Sequence, residues 1–178
     1  MRSGSLNIPN TITWARVLLT AVIVFLILKG FFLFAFALFL IAAISDYFDG
    51  YFARKLNQVT NFGKIFDQMS DKIFITSILI AFVELNLVPS WIVIVIVFRD
   101  TLVTTVRMAA LVSNQVIAAN YFGKLKTVSQ MIWIVVLFLK SIGYNVYMVD
   151  DILAYVVVFF TIASGILYLG QNIRVLKG

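Results

Sequence analysis

Asp46, Asp49, Asp67 and Asp71 stand in the segment ISDYFDGYFARKLNQVTNFGKIFDQMSDKI, between two long apolar runs. The chain holds only 8 acidic residues, and half of them fall here. A carboxylate in an apolar segment is costly to keep ionised, so its default reading is functional. Asp46, Asp49, Gly50, Ala53 and Arg54 are spaced as one stripe of a helix. Gly63, Asp67 and Asp71 form a second stripe on the next one. The short polar segment between them predicts antiparallel neighbours whose stripes face each other. Four carboxylates so placed repel unless they are neutralised, and two divalent cations would balance them. Such a pair of ions can clamp a pyrophosphate and stabilise a leaving phosphate. Arg54 adds a charge-assisted contact to a phosphate oxygen. Gly50 and Gly63 leave room for a ligand or metal against the backbone. The plainer alternative pairs the acids with Arg54, Lys55, Lys64 and Lys72 at a surface. Four acids on two stripes, with two glycines, go beyond what that alternative requires.

The chain contains neither histidine nor cysteine. Any metal must therefore be held by oxygen ligands, which suits hard ions such as Mg²⁺, Mn²⁺ or Ca²⁺. Disulfides are excluded as well.

The elements that must position these residues are helices in lipid. The 178 residues are 62% hydrophobic and 12% charged, far from the balance of a soluble domain. Six apolar runs, at about 12–28, 31–53, 64–85, 90–112, 124–142 and 151–170, predict an all-α, polytopic membrane protein. The expected architecture is a six-transmembrane-helix bundle forming a single domain over 1–178. Its connections are short, at Lys29-Gly30, 55–63, 86–89, 113–121 and 143–150. No small-residue cleavage site follows the first run, so that run is read as a span rather than a signal peptide. Basic residues concentrate at one set of helix ends, including Arg16, Arg54, Lys55, Lys64, Arg107, Lys124 and Lys126. The opposite ends carry Lys29 and Lys140 beside Glu84, Asp150 and Asp151. The positive-inside rule then places both termini and the acidic segment, hence the polar active site, on the cytoplasmic side of the cell membrane. The net charge of +6 suits contact with anionic membrane lipids; no nucleic-acid partner is expected.

Taken together, the acidic segment reads D-x2-D-G-x2-A-R-x8-G-x3-D-x3-D across residues 46–71. It resembles the signature of the CDP-alcohol phosphatidyltransferases at every defining position. The resemblance implies a six-helix membrane bundle, usually a homodimer. It implies a CDP-linked lipid, usually CDP-diacylglycerol, whose β-phosphorus is attacked by an alcohol while CMP leaves. It also implies roles. Asp46, Asp49 and Asp67 bind metal, two ions of Mg²⁺ or Mn²⁺; Asp71 both touches metal and serves as general base. Asp49, Gly50, Arg54 and Gly63 seat the CDP portion.

Further segments resemble the branch of that family whose acceptor is glycerol 3-phosphate. They are Asn7-Ile8-Pro9-Asn10-Thr11-Ile12-Thr13 followed by Arg16, then residues 57–64, then Phe122-Gly123-Lys124-Leu125-Lys126-Thr127. The chain departs from that branch at Gln68-Met69-Ser70 before Asp71, and at Arg99-Asp100 where Arg-Glu is frequent. Neither departure removes a proposed metal ligand.

An anionic acceptor fits the later helices. Arg99 and Arg107 lie in one apolar run with Asp100 and Thr104 nearby. An arginine within a span needs an inward partner or a wet cavity. Arg99, Arg107, Lys124 and Lys126 are the candidate ligands of the acceptor's phosphate. The alternatives are a buried pair with Asp100 for the arginines, and ordinary membrane-surface anchoring for the lysines. Other acceptors used in the family are inositol phosphate and serine. From a different class, a divalent-cation transporter would also use intramembrane acids, but at the midplane of repeated halves, and no repeat is evident. Trp14, Trp91 and Trp133 are expected to anchor at the interface or to pack.

Overall fold

The computed structural model describes residues 8–55, 61–112 and 121–172, with side chains at 14–45, 69–108, 110 and 121–172. The described residues form six helices and no strand: α1 (Ile8–Leu28), α2 (Phe32–Lys55), α3 (Asn61–Glu84), α4 (Ser90–Val112), α5 (Tyr121–Ile142) and α6 (Tyr147–Gln171). Each coincides with one expected apolar run, and the largest extensions are at the N-terminal ends. The chain divides into two compact units, 1–86 and 87–178.

In the first unit α1 packs against both α2 and α3. The buried face of α1 is Arg16, Thr20, Ile23 and Ile27, a stripe at helical spacing. Ala35, Phe39 and Ala42 of α2, and Phe74, Ile78 and Phe82 of α3, are buried with it and complete the inner layer of this unit. The rings of Phe39 and Phe74 stack 5.6 Å apart and within 7° of parallel, joining α2 to α3. The α1–α2 turn closes on Gly30, at φ 78°. Its N–H bonds the Ile27 carbonyl while that of Phe31 bonds Leu26, the paired arrangement that ends a helix on a left-handed residue.

In the second unit α6 packs against both α4 and α5. The turn before α6 repeats the first device: Gly143, at φ 110°, donates to Lys140, and Tyr144 donates to Leu139. Here the usual polarity is reversed. The inward face of α6 carries Asp150, Thr161, Ser164 and Tyr168, while Ile152, Phe159, Ile162 and Ile166 are exposed. Thr161 and Ser164 bond carbonyls of their own helix, so their burial leaves no hydroxyl unpaired. A helix with polar groups inward and large apolar groups outward is adapted to lipid. Both α5 and α6 have the length and hydropathy to cross a membrane. Shorter apolar stretches occupy Trp14–Leu28 and Phe32–Ser45. Trp133 is buried, a packing residue, whereas Trp14 and Trp91 are about half exposed.

Candidate functional site

In the first unit, the acidic signature spans the end of α2 and the beginning of α3. Asp46, Asp49, Gly50 and Arg54 belong to α2, and Gly63, Asp67 and Asp71 to α3. The side chains of residues 46–68 lie outside the described residues, so the expected facing of the two stripes does too. Asp71 is described. Its Oδ1 accepts from Nη1 of Arg16, which reaches it from α1. The Arg16 side chain is 6% exposed and that of Asp71 46%. The arginine thus belongs to the core, while the carboxylate keeps an open side. Thr20 reinforces this point of α1, its hydroxyl donating to the Arg16 carbonyl at 2.7 Å. Beside Asp71, the buried Ser70 hydroxyl has no hydrogen-bond partner among the described residues.

The donor set of this site is purely oxygen, in a chain without histidine or cysteine. That chemistry fits hard divalent cations. Among the described residues there is no group of three metal-ligating side chains; Asp71 is the one member of the signature whose carboxylate is described.

In the second unit, a polar cluster joins α4 to α5. Asp100 of α4 is its hub. Its Oδ1 accepts from Arg99 Nη1 at 3.0 Å, and its Oδ2 from Lys126 Nζ at 2.7 Å. Lys126 is buried, so it is no surface anchor. Two of the expected phosphate ligands therefore share one carboxylate, and the alternative of a pair with Asp100 holds for Arg99. Arg107, two turns further along α4, does not join them. Its Nε lies 3.4 Å from the Tyr168 hydroxyl, and its guanidinium carbon lies 5.7 Å from the centre of that ring. Arg107 has no carboxylate partner among the described residues. Lys124 is exposed and outside the cluster. Among the described residues of the second unit, Arg99, Arg107, Lys126 and Lys140 are buried or half-buried, against the carboxylates of Asp100 and Asp150, so positive charge is in excess. An anionic ligand would correct that imbalance.

Sequence reasoning missed two contributors. Tyr168 orients Arg107, and Gly165 lies against Arg99. A signal existed: Thr161, Ser164, Gly165 and Tyr168 form a small and polar stripe within an otherwise apolar run. Arg16 was read for its charge and its place in the opening motif, not as the partner of Asp71.

The family model for CDP-alcohol phosphatidyltransferase matches residues 6–163. The chain belongs to the CDP-alcohol phosphatidyltransferase family. It is 38% identical to a CDP-diacylglycerol–glycerol-3-phosphate 3-phosphatidyltransferase of Bacillus subtilis, over 96% of this chain and 97% of that protein. An enzyme of the same name from Rickettsia typhi is 33% identical over 91% of this chain and 94% of its own. A third, from Mycoplasma genitalium, is 46% identical over 55% of this chain and 42% of its own length.

Proposed function

We propose that this protein is a phosphatidylglycerophosphate synthase, transferring the phosphatidyl group of CDP-diacylglycerol to glycerol 3-phosphate and releasing CMP. The observation that carries the reading is similarity over 96% of the chain to a CDP-diacylglycerol–glycerol-3-phosphate 3-phosphatidyltransferase, together with the excess of positive charge in the second unit.

In the reaction, a hydroxyl oxygen of glycerol 3-phosphate bonds to the β-phosphorus. The bond from that phosphorus to the CMP oxygen breaks, and CMP carries away the electron pair. The hydroxyl proton passes to the carboxylate of Asp71, which Arg16 holds by Oδ1. Asp49, Gly50, Arg54 and Gly63 seat the CDP portion. Asp46, Asp49, Asp67 and Asp71 would hold two divalent ions, Mg²⁺ or Mn²⁺. When bound, these would offset the charge of the pyrophosphate and of the departing phosphate. Arg99, Lys126 and Arg107 bind the acceptor's phosphate, and exposed Lys124 adds longer-range attraction. The reading extends to topology: six spans in one domain, both termini and the acidic segment cytoplasmic, the chain paired as a homodimer in a membrane with anionic lipids.

Purified protein should release CMP from CDP-diacylglycerol when glycerol 3-phosphate and Mg²⁺ or Mn²⁺ are both supplied. Equal or faster release with serine or inositol phosphate would overturn the choice of acceptor.

A further inference from the structure

Arg99 crosses the interior of the second unit through a passage made by two missing side chains. A Cβ on Gly165 of α6 would lie 3.1 Å from Arg99 Cγ, tighter than an ordinary contact. A Cβ on Gly123 of α5 would lie 3.4 Å from Arg99 Nη2. The stem is thus confined by α6 and the guanidinium by α5. Beyond that passage Nη1 is tied to Asp100, which also holds Lys126. Arg99 Nε is buried and has no hydrogen-bond partner among the described residues. A buried donor without an acceptor is costly, and an anion beside it would repay that cost.

We infer that Gly165 and Asp100 are positioning residues for the acceptor: Gly165 opens the path for the Arg99 stem, and Asp100 fixes the guanidinium beside Lys126 for recognition of a phosphate. The inference rests on the reading of Arg99 as an acceptor ligand. A methyl at position 165 meets Cγ, in the middle of the stem, so a small rotation of the tip does not relieve it. The stem must give by a few tenths of an ångström, and the guanidinium it carries shifts without loss of its charge. Arginine recognises phosphate through the orientation of its planar fork, so the misplacement is read as weakened acceptor binding.

Gly170 supplies the comparison. It lies on the same helix, and a Cβ there would meet nothing within 4 Å. Glycine to alanine favours the helix at both positions, so the two variants differ chiefly in what the methyl touches.

The test uses the full-length protein in detergent, with CDP-diacylglycerol, glycerol 3-phosphate and Mn²⁺, reading CMP release and the thermal midpoint. Gly165→Ala should raise the KM for glycerol 3-phosphate about tenfold, leaving kcat and the KM for CDP-diacylglycerol within about twofold. Gly170→Ala should leave all three within about twofold. Asp100→Asn should raise the acceptor KM, and Asp100→Glu, which restores the carboxylate, should recover part of it. Gly123→Ala, whose methyl meets the guanidinium end, should give a smaller rise and serves if Gly165→Ala does not accumulate. Gly165→Ala indistinguishable from Gly170→Ala overturns the inference, as does a parallel loss in kcat and both KM values with a lowered thermal midpoint. If Arg99→Ala nonetheless raises the acceptor KM, the acceptor site itself stands. An unchanged acceptor KM in Arg99→Ala overturns both.

Discussion

Arg16 and Asp71 are joined across α1 and α3, with the arginine in the core and the carboxylate partly open. The asymmetry matters more than the pairing. A buried guanidinium offers a donor held by the core around it. The carboxylate it holds keeps access to a reacting group.

Replacing Arg16 by alanine should therefore affect rate more than stability. Asp71 is nearly half exposed, so solvent screens the pair, and the ion pair itself contributes only about 1 kcal/mol, to which truncation of the buried Arg16 stem adds a packing loss. Misorientation of a reacting carboxylate should lower kcat by about 10- to 100-fold. Arg16→Lys keeps the charge but not the fork, and should recover part of the rate. Steady-state CMP release with thermal unfolding separates the two effects. A variant that loses stability but keeps its kcat would reduce Arg16 to a packing residue.

Asp71→Asn tests the carboxylate itself. The amide retains the size of the side chain but cannot take up a hydroxyl proton. Turnover should fall by at least about 100-fold. Mn²⁺ binding, followed by electron paramagnetic resonance, should persist because Asp46, Asp49 and Asp67 are unchanged. Turnover at the wild-type rate would remove Asp71 from the base role.

These residues also mark how far the sequence reaches. The helices were legible because apolar runs of span length are their own signal, and Gly30 and Gly143 punctuate two of the turns. The early starts of α1, α3, α5 and α6 were less legible, since their first turns carry polar residues that hydropathy discounts. Asp71 was legible by spacing within its own helix. Its tie to Arg16 was not, because contact between α1 and α3 depends on packing over a separation of 55 residues. Lys126 read equally well as an anchor or a ligand. Burial against Asp100 removes the anchor reading, and burial is a property of packed helices rather than of one segment.

Arg107→Ala should raise the KM for glycerol 3-phosphate more than that for CDP-diacylglycerol. Tyr168→Phe should act in the same direction but more weakly. It keeps the ring under the guanidinium, whose attraction contributes about 0.5–2 kcal/mol, and removes the hydroxyl that Nε approaches. Comparable effects of Arg107→Ala on both substrates would place that residue outside the acceptor site.

A second buried carboxylate, Asp150, should matter for stability alone. It sits in the first turn of α6, where a negative charge favours the helix. Its Oδ1 accepts from Trp133 Nε1 at 2.7 Å, and its Oδ2 from Lys140 Nζ. Asp150→Ala strands both donors. Breaking a fully buried ion pair from one side costs about 3–5 kcal/mol. Lys140 keeps 16% of its side chain exposed and can reach outward, so about 2–3 kcal/mol is expected. Lys140 and Lys126 lie at opposite parts of α5, about 21 Å apart at the rise of a helix. Activity per folded molecule should accordingly remain at wild-type level while the thermal midpoint drops. Trp133→Phe, which removes one donor and keeps the ring, should lose less stability than Asp150→Ala. If Asp150→Ala instead raised the acceptor KM at unchanged midpoint, the carboxylate would act on the acceptor site rather than on the α5–α6 pairing.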